Sequence, residues 1–371
     1  MHLVANTPAY AARRGGRFFV VELLSPHRVL ATCPVNGGIR EDLRFLVNHQ
    51  SCEGAAHAAR AAHLKLIGPE GAHREVCDEL ALPPAETASM GTAANVQYTA
   101  LASERYEELE ITVFATAGVY GNAAAAGDPA LWHETAAGWV RAADPPGTIN
   151  LLVLCSVPLT PGALTRAAVT VTEGKSAALV RLAIGSRYSP DLATGTGTDQ
   201  LCIAAPLLDG ARQFTGTGPH SKLGELLGAA ARNAVVEALR WQNGLEPSYT
   251  RSLAHALGRF GLTEATLRER VSARLNEADA ALLAANWMAV LHEPLASAHA
   301  YAAAAVLDRL RYGTLSADIA ESAVRAQAAG LAAAIAARAG LWDEFHALLE
   351  PQPPLEMLVH AIALGWERKW R

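Results

Sequence analysis

The sequence is short of every feature that would tie it to a nucleic acid, a bilayer or a metal cluster. Its 371 residues carry 31 Lys and Arg against 36 Asp and Glu, a net charge of −5. That balance offers no basic footprint for nucleic acid and no polybasic arm for a membrane. The five cysteines (Cys33, Cys52, Cys77, Cys155, Cys202) are odd in number, scattered and without CxxC spacing. They read as reduced thiols of a cytoplasmic protein, neither a disulfide framework nor a metal site. No apolar run spans a bilayer: the stretch from Ala326 to Ala337 is too short and weakly apolar, with Arg325 and Arg338 at its ends. Arg13 and Arg14 precede an apolar run, Phe18 to Leu24, which has the look of an export signal. Glu22 interrupts it, and its alternation reads as a strand.

What is present is a half-apolar chain long enough for two domains, each with its own core. Up to about residue 243, β-branched runs alternate with helical ones. Phe18 to Leu24, Arg28 to Cys33, Val96 to Ala102, Glu108 to Thr116, Thr148 to Cys155 and Leu201 to Ala205 read as strands. The first two, joined by a Ser-Pro-His turn, predict an antiparallel hairpin. Cys52 to Ile67, Pro161 to Ala183 with Thr160 as N-cap, and a segment from Pro219 or His220 to Trp241 read as helices. The fold class expected is α+β: layered antiparallel or mixed sheets with packed helices, plus a C-terminal all-α domain.

The boundary falls at QNGLEPS, Gln242 to Ser248, dividing residues 1–243 from 244–371. Beyond it alanine and leucine dominate. Helices are expected over Thr263 to Leu275, Asp279 to His292, Leu295 to Tyr312, Ala317 to Ala339 closed by Gly340, and Leu355 to Trp370. This small bundle reads as a packing or dimerisation appendage, which leaves a homodimer open.

The densest polar signal is ATGTGTDQ, Ala193 to Gln200, where two glycines and three threonines precede an aspartate. Glycines at 195 and 197 permit positive φ, and successive N–H groups can then form a nest for an anion or oxyanion. The plainer alternative is a Gly-rich turn before a strand. Around it stand TAGVYGNAAAAGDP (Thr116 to Pro129), GTIN (Gly147 to Asn150), ALTRAAVTVTEGKSAAL (Ala163 to Leu179) and GTGPHSKLGELLG (Gly216 to Gly228).

In that order the five segments resemble the CbiZ family, the adenosylcobinamide amidohydrolases of corrinoid salvage, over roughly residues 15 to 242. The resemblance implies hydrolysis of the amide that joins a corrin propionyl side chain to aminopropanol, giving adenosylcobyric acid. It implies a small-molecule corrinoid partner whose cobalt arrives with the substrate, and no cofactor of the protein's own. It does not reach the C-terminal helices. The same scaffold acting on another amide metabolite, or a non-catalytic corrinoid binder, are the rival readings.

Amide hydrolysis needs an attacking group, a proton donor for the leaving amine and oxyanion donors. Glu173 and His220 are the candidate base and acid, with Lys175 and Asp199 orienting them. Thr196 and Gly197 would complete an oxyanion pocket, and Thr194, Thr198, Asn122, Asn150 and Ser221 would match the substrate's amides. Each has a structural alternative: a surface ion pair for Glu173, a helix cap for His220, an Asx turn for Asp199, turns or strand ends for the asparagines. Threonine is a poor nucleophile without an activating base. Tyr98, Tyr120 and Trp132 are candidate walls for a corrin disc, with Tyr98 expected in the core beside Val96. Cys155 and Cys202 read as core residues, and Asn48, His49 and Gln50 as a polar triplet lining the same pocket or, more simply, a turn after a strand. Cys52, His57 and His63 are spaced wrongly for ligands on one helical face.

Overall fold

A computed structural model describes the chain except residues 52–56, 137, 142–146 and 370–371 and the side chains of residues 57, 139 and 141. By internal packing it divides into two compact units, Met1–Tyr188 with Leu192–Leu245, and Ser189–Asp191 with Glu246–Arg371. The architecture is α+β, and among the described residues the strands fall in the first unit.

In chain order the strands are β1 (His2–Asn6), β2 (Tyr10–Gly15), β3 (Phe18–Leu23), β4 (His27–Ala31), β5 (Gly38–Arg40), β6 (Phe45–Gln50), β7 (Thr87–Thr92) and β8 (Ala100–Tyr106). There follow β9 (Leu109–Ala117), β10 (Ala123–Ala124), β11 (Trp132–Thr135), β12 (Gly138–Arg141), β13 (Ile149–Cys155), β14 (Gly195–Thr196) and β15 (Gln200–Pro206). One sheet has the order β1-β2-β3-β6-β7 and a second the order β5-β4-β15-β13-β9-β8. The first unit's long helices are α1 (His57–Leu80), α2 (Pro161–Arg181) and α3 (Lys222–Asn243).

Side-chain alternation along the strands sorts these elements into layers. Phe19, Leu46, Met90, Phe114, Leu152 and Cys202 fill the space between the two sheets, and the Phe19 and Phe114 rings lie 4.9 Å apart. Phe18, Val20 and Val47 face the other way and bury Val76 of α1. Ile111, Val113, Leu151, Val153 and Ile203 cover Leu164, Val171, Leu227 and Val235 of α2 and α3. Each such aliphatic or aromatic side chain stabilises by about 1.5–3 kcal/mol on burial.

Two pairs are parallel, β6 with β7 and β13 with β15, and helices α1 and α2 make the crossovers. Helix α2 starts on Thr160, whose side chain accepts from the Ala163 N–H, and α3 on Ser221, which accepts from Gly224. The α3 helix ends on Gly244 in the left-handed region.

Three sequence expectations are corrected. The predicted hairpin does not form: β3 pairs with β2 and β6, and β4 with β15 and β5. The chain crosses between sheets at residues 24–26, because both edges of β3 are taken by β2 and β6. The predicted strand from Val96 begins instead as a 3₁₀ turn, Val96–Tyr98, capped by Asn95, which accepts from the Gln97 N–H. In that turn residues two apart do not share a face, so Val96 is buried while Tyr98 is exposed. Asn48 and His49 are not turn residues but buried members of β6. The start of the predicted helix from Cys52 lies outside the described residues.

The second unit contains α4 (Pro247–Thr250), α5 (Leu253–Leu257), α6 (Glu264–Ser272), α7 (Glu277–Leu291), α8 (Pro294–Arg311), α9 (Ala317–Ala336), α10 (Trp342–Leu348) and α11 (Pro354–Arg368). Helix α9 stops on Ala337, itself left-handed at φ 55°, three residues short of the glycine expected to end it. Leu283, Trp287, Val324, Phe345, Leu358 and Trp366 belong to its core.

Between the sheets a polar tie interrupts the apolar packing. Asn150 Nδ2 donates to Asn48 Oδ1 and to the Gly91 carbonyl, both at 2.9 Å, and Asn48 Nδ2 donates to Thr116 Oγ1 at 2.8 Å. Asn150→Ala leaves two buried acceptors without their donor, and urea denaturation should show a loss of about 1–3 kcal/mol. An unchanged midpoint would show that the tie contributes nothing.

Candidate active site

The threonine loop lands where the amino ends of β13 and β15 meet the later half of α2. Asp199 sits at its centre. Asp199 Oδ1 accepts from the Ile149 N–H (2.9 Å) and from Thr196 Oγ1 (2.5 Å), and Oδ2 accepts from the Thr196 N–H (3.0 Å). The fourth donor is the Lys175 ammonium, on Oδ2. Both charged side chains are largely buried, at 11% and 15% exposure. A buried ammonium and carboxylate each carry a large desolvation cost, so neither is held without the other.

Gly195 makes this pair possible. Its φ is not positive, so the expected reason for a glycine here is wrong. The actual reason is space: a β-carbon would come within 2.4 Å of Asp199 Oδ2 and 2.6 Å of Lys175 Nζ. Gly197 lies flat against the Asn122 amide, where a β-carbon would stand 3.3 Å from it.

The rest of the loop is stitched to its surroundings. Thr194 donates its N–H to the Ala124 carbonyl and accepts from the Ala126 N–H on Oγ1, while its carbonyl accepts from Ser176 Oγ. Thr198 Oγ1 donates to the Gly147 carbonyl at 3.0 Å, and Thr148 Oγ1 donates to the Thr198 carbonyl at 2.7 Å. Asn122 is engaged at both ends, donating to the Gly147 carbonyl and accepting from the Tyr188 hydroxyl. Ser176, Thr148 and Tyr188 were not among the expected site residues. The first two lie inside the quoted motifs, whereas nothing local marks Tyr188.

The structure therefore brings Lys175, Asp199, Thr194, Thr196, Gly197, Thr198 and Asn122 together, with Asn150 one residue beyond the Ile149 N–H. It does not bring Glu173 or His220 to them. Glu173 is exposed on α2, about 200° around the helix from Lys175. His220 is exposed just ahead of α3, and Gly174 packs against Gly228, about 10 Å further along that helix. Ser221 is occupied as the N-cap and donates to Gly216 and Gly218 carbonyls. The second Gly/Thr motif thus serves helix capping and helix packing.

Both core cysteines behave as expected. Burial pushes the Cys155 thiol up to about 12. Cys202 lies 3.8 Å from Cys33, and that neighbour together with burial raises its pKa. Among the described residues no three His, Cys, Asp or Glu side chains are grouped to hold a metal, and Cys52 lies outside them. Tyr120 is exposed and donates to the Asn243 carbonyl.

With this geometry in view, the chain's relatives fall into place. A family profile described as adenosylcobinamide amidohydrolase matches residues 4–247, and the chain belongs to this family, CbiZ. A curated relative is Uncharacterized protein MJ1613 of Methanocaldococcus jannaschii, 32% identical over 181 residues, 46% of this chain and 70% of that protein. Among solved structures, the PH0078 protein of Pyrococcus horikoshii OT3 aligns with 12% identity and a TM-score of 0.31 over 62% of this chain and 83% of its own. A Burkholderia sp. beta-aminopeptidase aligns with 17% identity and a TM-score of 0.31 over 63% and 81%. Both structural likenesses are too low to bear on activity.

Two tests follow from the geometry. Gly195→Ala should separate the Lys175–Asp199 pair and lower the melting temperature, by several degrees if about 1–3 kcal/mol is lost; an unchanged melt would show that the contact is slack. The second concerns His49, buried on β6, whose pKa is lowered to about 3 by burial first and then by Arg17 and Arg60. Unfolded, it titrates near 6.5, so the unfolded chain binds the extra proton. Stability is fully present above pH 6.5 and is lost as pH falls toward 3, by up to about 1.4 kcal/mol per unit. His49→Gln should flatten that slope in urea titrations between pH 7 and 4.

Proposed function

We propose that residues 1–243 form an amidohydrolase that cleaves the aminopropanol amide of adenosylcobinamide in the cytoplasm, and that 244–371 is a helical appendage to it. One observation carries the chemistry: the Thr196 hydroxyl donates to a carboxylate whose remaining lone pairs are held by Lys175 and two backbone N–H groups. Family membership supports the reaction class and a corrinoid-type substrate.

In this reading Asp199 supplies the base that threonine otherwise lacks. Thr196 Oγ1 passes its proton to Asp199 Oδ1 as it bonds to the amide carbon. The carbonyl oxygen becomes an oxyanion near the Thr198 N–H, which lies 3.4 Å from Thr196 Oγ1. The C–N bond then breaks, and the departing amine takes the proton from Asp199. Water attacks the resulting ester through the same carboxylate, releasing the acid and restoring the hydroxyl. Lys175 holds the Asp199 carboxylate in place and aimed. Asn122, Thr194 and Thr198 hold the loop, and the exposed backbone of Gly197 and Thr198 receives the substrate's amides. Glu173 and His220, both outside this cluster, have no part in it.

The helical unit lies beyond the family match, which favours one second reading: the same chemistry on a different amide metabolite. Purified protein incubated with adenosylcobinamide should release aminopropanol, read by mass spectrometry. Asp199→Asn and Thr196→Val should each lower kcat by about 10²–10⁴-fold, with Thr196→Ser partly active. Full activity in Thr196→Val would replace the threonine nucleophile by water, and no release at any pH would remove this substrate.

A further inference from the structure

Part of the helical unit comes from far upstream. Ser189–Asp191, which lie in sequence just ahead of the threonine loop, pack with the helices from Glu246 onward. They are the tip of a loop that leaves the body at Gly185 and rejoins it at Leu192. Those two residues form a bridge across its base, and the Ala193 N–H donates to the Ile184 carbonyl beside it. A loop tip is ordinarily among the least constrained parts of a chain. This one is grasped at two successive residues.

The groups that grasp it come from the carboxyl end of α8 and from the 3₁₀ turn Gly258–Phe260. Asp308 takes the Arg259 guanidinium in a two-pronged pair, at 2.7 and 2.6 Å. Both side chains are nearly buried, at 13% and 7% exposure, so the planar fork is locked in place. From there Arg259 Nη1 also donates to the Pro190 carbonyl. Asp191 Oδ1 accepts from Arg311 and, at 2.7 Å, from the Tyr312 hydroxyl. The Arg311 and Tyr312 hydrogen bonds pull the Asp191 carboxyl down to about 2. Arg311 and Asp191 are about a third exposed, at 31% and 33%, so their ion pair adds little to overall stability. What these bonds fix is position.

Both limbs of the loop run into the site. On one side Tyr188 is the residue next to the grasped tip. Its N–H donates to Ser186 Oγ, and its hydroxyl donates to Asn122 Oδ1 at 2.9 Å. The Asn122 amide is the surface on which Gly197 lies. On the other side Leu192 and Ala193 lead directly into Thr194 and Thr196. A long side chain aims its hydroxyl only as well as the backbone beneath it is held.

We propose that Arg259, Arg311 and Tyr312 are positioning residues of the active site: by clasping Pro190 and Asp191 they fix the loop that aims Tyr188 at Asn122 and carries the chain into the threonine loop. The helical unit thereby gains a part in the chemistry. The inference rests on the function proposed above for its effect on rate, but the clasp itself is tested without turnover, by hydrogen–deuterium exchange of the full chain read by mass spectrometry. In Asp191→Ala the amides of residues 186–199 should exchange about ten-fold faster or more, with those of β9 and β13 unchanged. Tyr312→Phe, which removes one donor and keeps the ring, should move the same amides the same way by a smaller factor, and it carries the test if Asp191→Ala does not fold. Where adenosylcobinamide is turned over, Arg311→Ala should lower kcat about ten-fold with KM little changed, and Arg311→Lys should recover most of that loss. Unchanged exchange over 186–199 in both variants overturns the clasp whatever the turnover. Faster exchange spread evenly along the chain, or local loosening with kcat intact, overturns the positioning role. Wild-type protein that releases no aminopropanol while 186–199 responds as expected would instead defeat the hydrolytic reading and leave the clasp standing.

Discussion

The Asp199 carboxylate is the interaction on which the functional end of the first unit depends. Its donors come from three separate stretches: the first N–H of β13, the loop ahead of β15 and the later half of α2. Strand spacing alone would align β13 with β15, and apolar packing would lay α2 across them. Neither would set the loop's depth. A carboxylate withdrawn from water must have its lone pairs met, and the backbone arranges itself to meet them. The loop is thereby held in one conformation, with Thr196 inside and Gly197 and Thr198 facing solvent.

Much of the first unit was legible because its signals are local. The α2 helix announces itself through Thr160, Pro161 and a helical apolar stripe, and β9, β13 and β15 through apolar runs long enough for a sheet covered on both faces. The β3–β4 connection was not legible, since a short Ser-Pro-His link looks the same whether the next strand folds back or crosses to another layer. The choice is made by which strands take the two edges of β3, here β2 and β6, a matter of tertiary pairing. Tyr98 failed for a local reason: Asn95 captures the Gln97 N–H, and the backbone turns where alternation had been assumed.

At the site the Gly/Thr loop stood out because no core element tolerates that composition. Lys175 and Asp199 were legible as polar residues of two motifs, and their direct pairing could not be read at a separation of 24 positions. The distance of Glu173 from Lys175 was implicit in the helix, since neighbours two apart face away from each other. Ser221 was legible in another way. A serine after a Gly-Pro turn and before a helical run satisfies the backbone first, accepting from the Gly224 N–H. The asparagines follow the same logic, because a buried amide finds partners within the protein before it is offered to a ligand.

One contact reaches further than its size suggests. Gly174 and Gly228 meet so closely that a β-carbon on the first would stand 2.5 Å from the carbonyl of the second. The two helices therefore ride backbone to backbone at that level, one residue before the buried lysine. Bulk added at Gly174 would pry α2 outward and carry the ammonium with it, whereas a β-carbon on Gly228 would meet only Thr170 Cγ2 at an ordinary 3.8 Å. For a chain descended from the same ancestor, size at position 174 is consequently bound to how closely the two helices approach, and a gain there must be answered by retreat elsewhere along the seam.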